Sequence, residues 1–229
     1  MGMVLGPYTP EQAATACNCQ VDELIHGALG AIDEGDKIRT IRDATATGVN
    51  DRIRNNQKEK TTAPTVVDFL HTRAVDKFTG RGRVKLLKAD VSKAHRRIKI
   101  RKQDWKYITA KVGDDIYVNK VGTYGVASAQ YYWGRMAALI IRLMHEIYPG
   151  QTWMLVYVDD FLIVLDEETA PEHAALLLLI LESSGCPLSW RKTDLDYELA
   201  WLGYAINADD CAAFPTPDKI GSSKRLYAR

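Results

Sequence analysis

The sequence predicts an α+β fold in which helices cover one face of an antiparallel sheet. From residue 84 onward, the apolar patterns follow the order strand, hairpin, helix, hairpin, helix and short strands. Short polar turns, Gly113-Asp114-Asp115 and Asp159-Asp160, separate the strands of the two hairpins. Hairpins that alternate with single helices are typical of antiparallel α+β domains.

The elements at the start of the chain are less regular. Residues 11–32 predict one or two short helices, and residues 37–41 alternate as in a short strand. Residues 44–64 are basic and rich in turn-forming residues, so they predict a loop. Residues 65–77 have helical spacing and predict a further helix.

The second part of the chain carries longer patterns. The longest helical pattern covers residues 128–147 and ends before Pro149-Gly150, and another covers residues 167–183. The predicted strands of this part are residues 84–91, 106–112, 116–121, 153–158, 161–165, 187–190, 200–206 and 212–214.

Length and composition indicate a globular protein without a membrane segment. The chain has 229 residues, of which 46% are hydrophobic and 26% charged, and a chain of this length buries a core without metal or disulfide staples. The longest apolar run, residues 174–181, is far shorter than the ~20 residues of a membrane helix. The N-terminus lacks the regions of a secretory signal, and four cysteines do not make a disulfide framework. We therefore expect an intracellular protein of the cytoplasm or nucleus.

Charge is unevenly distributed along the chain. Residues 37–106 hold 20 Lys and Arg against 7 Asp and Glu, whereas all other residues together hold 10 against 22. A basic segment that also contains apolar strands favours a surface that binds a polyanion such as nucleic acid. The alternative is a solvated basic surface without a ligand.

The acidic pair Asp159-Asp160 is the most unusual local feature, because it interrupts the apolar segment WMLVYVDDFLIVL. Buried carboxylates are costly unless they are paired or bind a cation. Asp90 ends another apolar strand, KLLKAD. If the two strands are neighbours, the three carboxylates can hold two Mg²⁺ ions for an in-line phosphoryl transfer. The alternative for Asp159-Asp160 is an ordinary hairpin turn, which is the expected role of Asp114-Asp115 and Asp209-Asp210.

Six segments of the chain resemble the motifs of the reverse transcriptase family, in the family's order and at plausible spacings. The YVDD sequence at residues 157–160 resembles the form found in retroviral and retrotransposon enzymes. The other five segments are residues 39–43 with 48–50 (RTIRD and GVN), residues 88–98 (KADVSKAHRRI), residues 125–132 (GVASAQYY), residue 185 with residues 188–192 (LSWRK), and residues 201–203 (WLG).

The resemblance implies the fingers and palm of a polymerase. It places an N-terminal fingers-like region in residues 1–83 and the palm in residues 84–206, with a fingers-like insertion at about 101–127. Residues 207–229 form a truncated C-terminal segment, which is too short for a thumb, connection or RNase H domain. We therefore expect a fragment or a minimal copy of such an enzyme.

The resemblance also implies the ligands and the site residues. Asp90 and Asp159 would bind two Mg²⁺ ions, with Mn²⁺ as an alternative, and Asp160 would assist. The other partners would be dNTPs and an RNA or DNA template with its primer, and no membrane. The residues implied to bind the nucleotide are Arg39, His95, Gln130, Tyr131 and Lys192, and those implied to contact primer or template are Tyr157, Trp201 and Gly203.

Several of these positions have simpler structural interpretations. Arg39 is also suited to a plain contact with the phosphate backbone, and Lys192 to a solvated surface. Gln130 and Tyr131 equally suit a helix start that faces the core. Tyr157 also suits a residue that fills the sheet.

The expected function is template-directed DNA synthesis by two-metal phosphoryl transfer from a dNTP to a primer 3′-hydroxyl. His95 stands where the family usually has Phe or Tyr, an aromatic wall against the ribose 2′-hydroxyl. The smaller imidazole leaves an RNA-templated RNA polymerase as one alternative. A catalytically inactive nucleic-acid-binding remnant of a retroelement is the other.

Overall fold

The computed structural model describes residues 2–33, 35, 38–56, 59, 62–148, 150 and 152–220. Of residues 39, 55 and 56 it describes the backbone only. The described residues form strands, α-helices and short 3-10 turns. The strands and α-helices are, in chain order, β1 (Val4–Tyr8), α1 (Pro10–Cys17), β2 (His26–Asp33), β3 (Ile38–Asp43), α2 (Val49–Asn56), α3 (Val66–Phe78), β4 (Val84–Asp90), β5 (Thr109–Val112), β6 (Asp115–Asn119), α4 (Ala127–Ile147), β7 (Trp153–Tyr157), β8 (Asp160–Asp166), α5 (Ala170–Ser183), β9 (Asp194–Asp196), β10 (Glu198–Trp201), β11 (Tyr204–Asn207) and β12 (Ala212–Pro215).

The chain divides into two compact units. The first comprises the described residues of 1–61 and 93–136, and the second those of 62–92 and 137–220. The units group α3 with the second part of the chain, whereas the sequence boundaries place it in the N-terminal region. The assignment of residues 1–83, 84–206 and 207–229 to functional regions stays a prediction.

The first unit is built on a five-stranded sheet with the order β1-β6-β5-β2-β3, in which the β2–β5 pair is parallel and the other pairs are antiparallel. Helix α1 begins at a capping box formed by Thr9 and Gln12. Its buried side packs on β6, where Ile116 and Val118 lie in the same hydrophobic cluster as Ala13. This cluster anchors the edge of the sheet that carries β1.

Two sequence-based assignments in the first unit are wrong. The predicted helical pattern of residues 11–32 ends early, because residues 26–33 form β2 and pair with β3 from Ala28↔Asp43 to Asp33↔Ile38. The predicted loop of residues 44–64 contains α2, whose Val49 belongs to a buried cluster with Ile108 and Val126. In both cases tertiary pairing or packing outweighs a weak local preference.

The second unit is built on a four-stranded antiparallel sheet with the order β7-β8-β4-β9. The two central strands are covered on both faces, since residues 161–165 of β8 are fully buried. One face packs on α3 and on the small antiparallel sheet β10-β11-β12, in a cluster that includes Phe69, Leu86 and Trp201. Helix α5 packs against β4 and β8. The acidic residues Asp90 and Asp160 lie at one end of the paired strands β4 and β8.

The strand predicted at residues 187–190 is reduced to a single antiparallel bridge, Val91↔Leu188, followed by a 3-10 turn at Trp190–Lys192. Within the described residues, no helix combines the length and the apolar character that crossing a membrane requires.

Candidate functional site

The β7–β8 hairpin positions two of the three acidic residues. Its strands pair from Trp153↔Val164 to Tyr157↔Asp160, so the two-residue turn consists of Val158 and Asp159. The sequence placed the turn one residue later, at Asp159-Asp160. The structure differs because Asp160 is already paired on both sides, with Tyr157 and with Asp90 of β4.

The turn itself holds a strained residue. Val158 has a φ of 56°. A two-residue hairpin turn requires a positive φ at its first position, which Gly or Asn adopts readily. A β-branched residue in this region is an outlier that costs about 1–3 kcal/mol. The surrounding sheet therefore imposes the conformation that presents Asp159.

Asp90 completes the acidic corner of the sheet, formed by Asp90, Asp159 and Asp160. It is the last residue of β4, lies directly opposite Asp160, and is only 4% exposed. The backbone N–H of Val91 donates to the carbonyl oxygen of Asp159 at 2.9 Å, which fixes the turn beside the end of β4. The structure thus brings Asp90 together with Asp159 and Asp160, which follow it by about seventy positions in the chain.

Lys192 contacts this acidic corner from a neighbouring loop. The N–H of Ser189 donates to the carbonyl oxygen of Asp90, and the N–H of Ser92 donates to that of Pro187, both at 2.8 Å. The 3-10 turn that follows places Lys192 so that its Nζ donates to Oδ2 of Asp90 at 2.8 Å. This hydrogen bond raises the pKa of the Lys192 ammonium above its ordinary value.

Asp160 is the carboxylate of the acidic corner whose ionised form is disfavoured. Burial, together with the nearby carboxylates of Asp90 and Asp159, raises the pKa of Asp160, and the ammonium of Lys88 opposes the rise. Lys88 donates its own hydrogen bond to the carbonyl oxygen of Ala200 at 2.8 Å. Sequence reasoning missed Lys88, although its spacing of two residues from Asp90 on one strand places both on the same face.

The acidic corner fits a hard divalent cation in donor chemistry. Carboxylate oxygens are the preferred protein ligands of Mg²⁺ and Mn²⁺. Burial, and to a smaller extent the charges of Asp90 and Asp159, raise the pKa of Asp160, and a cation at this corner would favour its ionised form. Across the part of the chain that the structure describes, no three His, Cys, Asp or Glu side chains already form a metal-ligand group.

Two of the residues implied to contact primer or template lie on the three-stranded sheet of the second unit. Trp201 is fully buried, so its side chain supports the β10–β11 hairpin from within the core. Gly203 lies in the turn of that hairpin with a φ of 75°. The third, Tyr157, ends β7 and is 41% exposed. The structure therefore places Tyr157 beside the acidic corner and leaves Trp201 without an exposed surface.

The remaining nucleotide-binding candidates belong to the first unit. His95 lies in a 3-10 turn and packs against the ring of Tyr124, with ring centroids 5.6 Å apart. Gln130 is exposed in the first turns of α4. The hydroxyl of Tyr131 donates to Glu59 at 2.7 Å. Arg39 lies on β3, and its side chain is outside the described residues.

The buried arginine of the same motif was missed by sequence reasoning. Arg42 is 3% exposed and donates hydrogen bonds to the carbonyl oxygens of Ile25, Tyr107 and Thr109. Burial lowers the pKa of its guanidinium. Arg42 joins β3 to β5 and to the segment before β2, and no pattern in the sequence distinguishes it from the exposed arginines nearby.

A large open cavity in the first unit was also not predicted. Its volume is about 1030 Å³. Its lining includes basic and tyrosine side chains, a combination that is typical of grooves that bind single-stranded nucleic acid. These residues are Arg52, Lys99, Arg101, Tyr107, Tyr131 and Tyr132. Two acidic residues also line the cavity. Glu59 accepts hydrogen bonds from Tyr131 and Arg135, and Asp104 forms an ion pair with Arg101.

Comparison with known proteins identifies the family. The family model described as reverse transcriptase (RNA-dependent DNA polymerase) matches residues 35–206. The chain belongs to the reverse transcriptase family. The resemblance noted from the YVDD and neighbouring segments is thereby confirmed. No curated protein sequence matches the chain.

Solved structures with the reverse transcriptase fold share the architecture. A foamy viral protease–reverse transcriptase in complex with double-stranded DNA matches with a TM-score of 0.66 and 19% identity, over 95% of this chain and 33% of that one. The same kind of viral protein in complex with an RNA/DNA hybrid gives a TM-score of 0.63, 18% identity, and coverage of 95% and 25%. Telomerase from Candida albicans, in complex with a fragment of telomeric RNA, gives 0.61, 12% identity, and coverage of 85% and 46%.

These matches confirm the predicted α+β fold of polymerase fingers and palm. The chain spans about a third of the length of the first of these structures.

Proposed function

We propose that this reverse transcriptase family chain catalyses RNA-directed DNA synthesis at the acidic corner of the second unit. The observation that carries the proposal is the direct pairing of Asp90 with Asp160, beside the turn that holds Asp159. Family membership supports the same reaction class. The substrates would be a dNTP and the 3′-hydroxyl of a primer on an RNA or DNA template.

The acidic corner would hold the divalent metals of this reaction through Asp90, Asp159 and Asp160. When bound, Mg²⁺ or Mn²⁺ neutralises phosphate charge and lowers the pKa of the primer 3′-hydroxyl. The chain's own contribution is positional: the β4–β8 register fixes two carboxylates, and the strained turn fixes the third. Lys192 places an ammonium beside them that would donate a proton to the departing pyrophosphate.

The first unit would supply the nucleic-acid surface. Its cavity combines the cations Arg52, Lys99 and Arg101 with tyrosine rings, and this combination suits a phosphate backbone with stacked bases. Arg39 and Tyr131 would contact the incoming nucleotide, as would Gln130 and His95. The exposed position of Gln130 supports this role over a core-facing one.

A second candidate function is nucleic-acid binding without catalysis. It is favoured by the ion pair in which Lys192 donates to Oδ2 of Asp90, because this contact already satisfies one of the carboxylates that the polymerase reaction would need. A third candidate, an RNA-templated RNA polymerase, is favoured by the imidazole of His95 in place of a larger aromatic ring.

Primer extension by the purified chain tests these candidates. An end-labelled DNA primer on an RNA template is incubated with Mg²⁺ and either dNTPs or NTPs. Asp159→Asn should abolish extension and leave template–primer affinity within a few fold, whereas Asp114→Asn, in an exposed hairpin turn, should behave as wild type. Extension by Asp159→Asn contradicts the assigned site. Tight binding without extension by the wild type identifies the binding protein, and preference for NTPs identifies the RNA polymerase.

A further inference from the structure

The ion pair between Asp90 and Lys192 joins a buried group to an exposed one. The side chain of Asp90 is 6% exposed, whereas that of Lys192 is 57% exposed. A buried carboxylate without a cation is costly, so the ammonium that reaches in from solvent offsets the cost of burying Asp90. The lysine chain itself stays largely in water, as is typical of a long cationic side chain.

The backbone of this loop is fixed independently of the lysine side chain. Ser92 and Ser189 attach the loop to the end of β4 through backbone hydrogen bonds, and the N–H of Lys192 donates to the carbonyl oxygen of Ser189 at 2.8 Å. Since none of these bonds uses Nζ, the ammonium is able to leave Asp90 while the loop stays in place.

We infer that Lys192 is a placeholder cation, whose ammonium occupies the metal-binding side of Asp90 until a divalent ion displaces it. The inference rests on the proposed metal site. It accounts for the position of the Lys192 ammonium, whose Nζ lies 2.8 Å from Oδ2 of Asp90 at the acidic corner. The exchange replaces one charge by two beside three carboxylates, so it is favourable only for a multivalent ion.

Two consequences follow for the resting protein. Asp90 would have a cationic partner both before and after a metal binds, so its buried carboxylate would not be left uncompensated. The ammonium of Lys192 would leave Asp90 when a metal binds. It could then bind an anionic ligand next to the carboxylates.

Lys88 provides a matched control. It carries the same charge, and its ammonium opposes the pKa rise of Asp160, so it also acts on the acidic corner electrostatically. Its Nζ donates a hydrogen bond to the carbonyl oxygen of Ala200, which is not a carboxylate. Substitution of Lys88 therefore changes the local charge without removing the ammonium that donates a hydrogen bond to Asp90.

Metal affinity of the full chain without nucleic acid is the first test. Mn²⁺ binding is measured by electron paramagnetic resonance, and Mg²⁺ binding by calorimetry. Lys192→Met should bind Mn²⁺ at least about fivefold more tightly than wild type, and Lys88→Met should show a clearly smaller gain. Equal gains in the two variants would overturn the placeholder role, because they reveal only the loss of a nearby charge. Unchanged affinity in Lys192→Met would overturn it as well.

A second measurement uses the wild-type chain and needs no substitution. Acetic anhydride labels amines, and mass spectrometry compares the labelling rates of Lys192 and Lys88 with and without Mg²⁺. Mg²⁺ should accelerate labelling of Lys192 relative to Lys88, since displacement frees its amine. A ratio that does not change contradicts displacement. If neither wild type nor Lys192→Met binds Mn²⁺ or Mg²⁺, the proposed metal site fails together with the placeholder; if both bind equally, only the placeholder fails.

Discussion

Asp90 and Asp160 are directly paired across two neighbouring antiparallel strands, so two carboxylates share one end of a buried strand pair. Like charges at directly opposed positions destabilise a sheet. This pair therefore lowers the stability of the folded chain at the place where the proposed chemistry needs both carboxylates.

Asp160→Asn should stabilise the protein at neutral pH by roughly 0.5–1 kcal/mol, the scale of an unfavourable cross-strand pair. Burial raises the pKa of Asp160 above its ordinary value of 3.8, so folding disfavours the ionised form. As the pH rises through 3.8 the unfolded wild type loses its proton first, and the folded wild type loses relative stability up to the raised pKa. Urea titrations from pH 3 to 7 should show a difference that vanishes in acid. A difference independent of pH contradicts the electrostatic origin.

Val158→Gly should stabilise the chain by about 0.5–2 kcal/mol, because glycine adopts the φ of 56° without the strain of a β-branched side chain and loses only part of this gain to chain entropy. Val112→Gly, in an exposed strand position, is the control and should destabilise by about 1 kcal/mol. Chemical denaturation checks both. A loss of stability in Val158→Gly would show that the turn is not strained.

Gly27→Ala should destabilise the first unit by about 1–3 kcal/mol. A Cβ at this position would overlap the side chain of Arg42, whereas one at Gly30 of the same strand would meet no atom within 4 Å. Gly30→Ala is therefore the matched control and should be nearly neutral. In an Arg42→Ala background the cost of Gly27→Ala should largely disappear, and thermal unfolding of the four variants measures this coupling.

Lys99→Gln should weaken binding of single-stranded RNA and reduce the slope of log affinity against log salt by about 0.7. Lys99 is exposed and lines the cavity of the first unit. Lys77→Gln, an exposed lysine of the second unit, is the control and should leave the slope unchanged. Fluorescence anisotropy at several salt concentrations gives the slopes. An equal effect of the two substitutions points to a diffuse basic surface.

His95→Phe should increase the preference for dNTPs over NTPs by about tenfold. The phenyl ring is larger than imidazole and, packed against Tyr124 as His95 is, would present a larger surface to a nucleotide sugar at the proposed site. The ratio of kcat/KM for the two nucleotide types is the measurement, with His71→Phe on the exposed surface of α3 as the control. If His95→Phe leaves the ratio unchanged, position 95 does not contact the sugar.

Much of the second unit was predictable from the sequence. The apolar runs around Asp159-Asp160 and before Asp90 are short, bounded by polar residues and of strand length, and such patterns favour buried strands. The single-residue shift of the turn was not predictable, because it depends on the register with β4.

The first unit was less predictable because its elements depend on distant partners. Residues 26–33 become a strand by pairing with β3 and β5, and their own pattern is only weakly periodic. The contacts of Arg42 with three carbonyl groups and of Lys192 with Asp90 join residues that lie far apart in the chain. Side-chain type and spacing carry no information about such pairs.

The attachment of the Lys192 loop also limits which substitutions the loop tolerates. Ser92 and Ser189 hold it through their amide N–H groups, and every amino acid except proline offers that group. A substitution that keeps the amide N–H at these two positions therefore keeps this attachment. A proline at either position would detach the loop. Relatives that keep this loop should therefore lack proline at both positions.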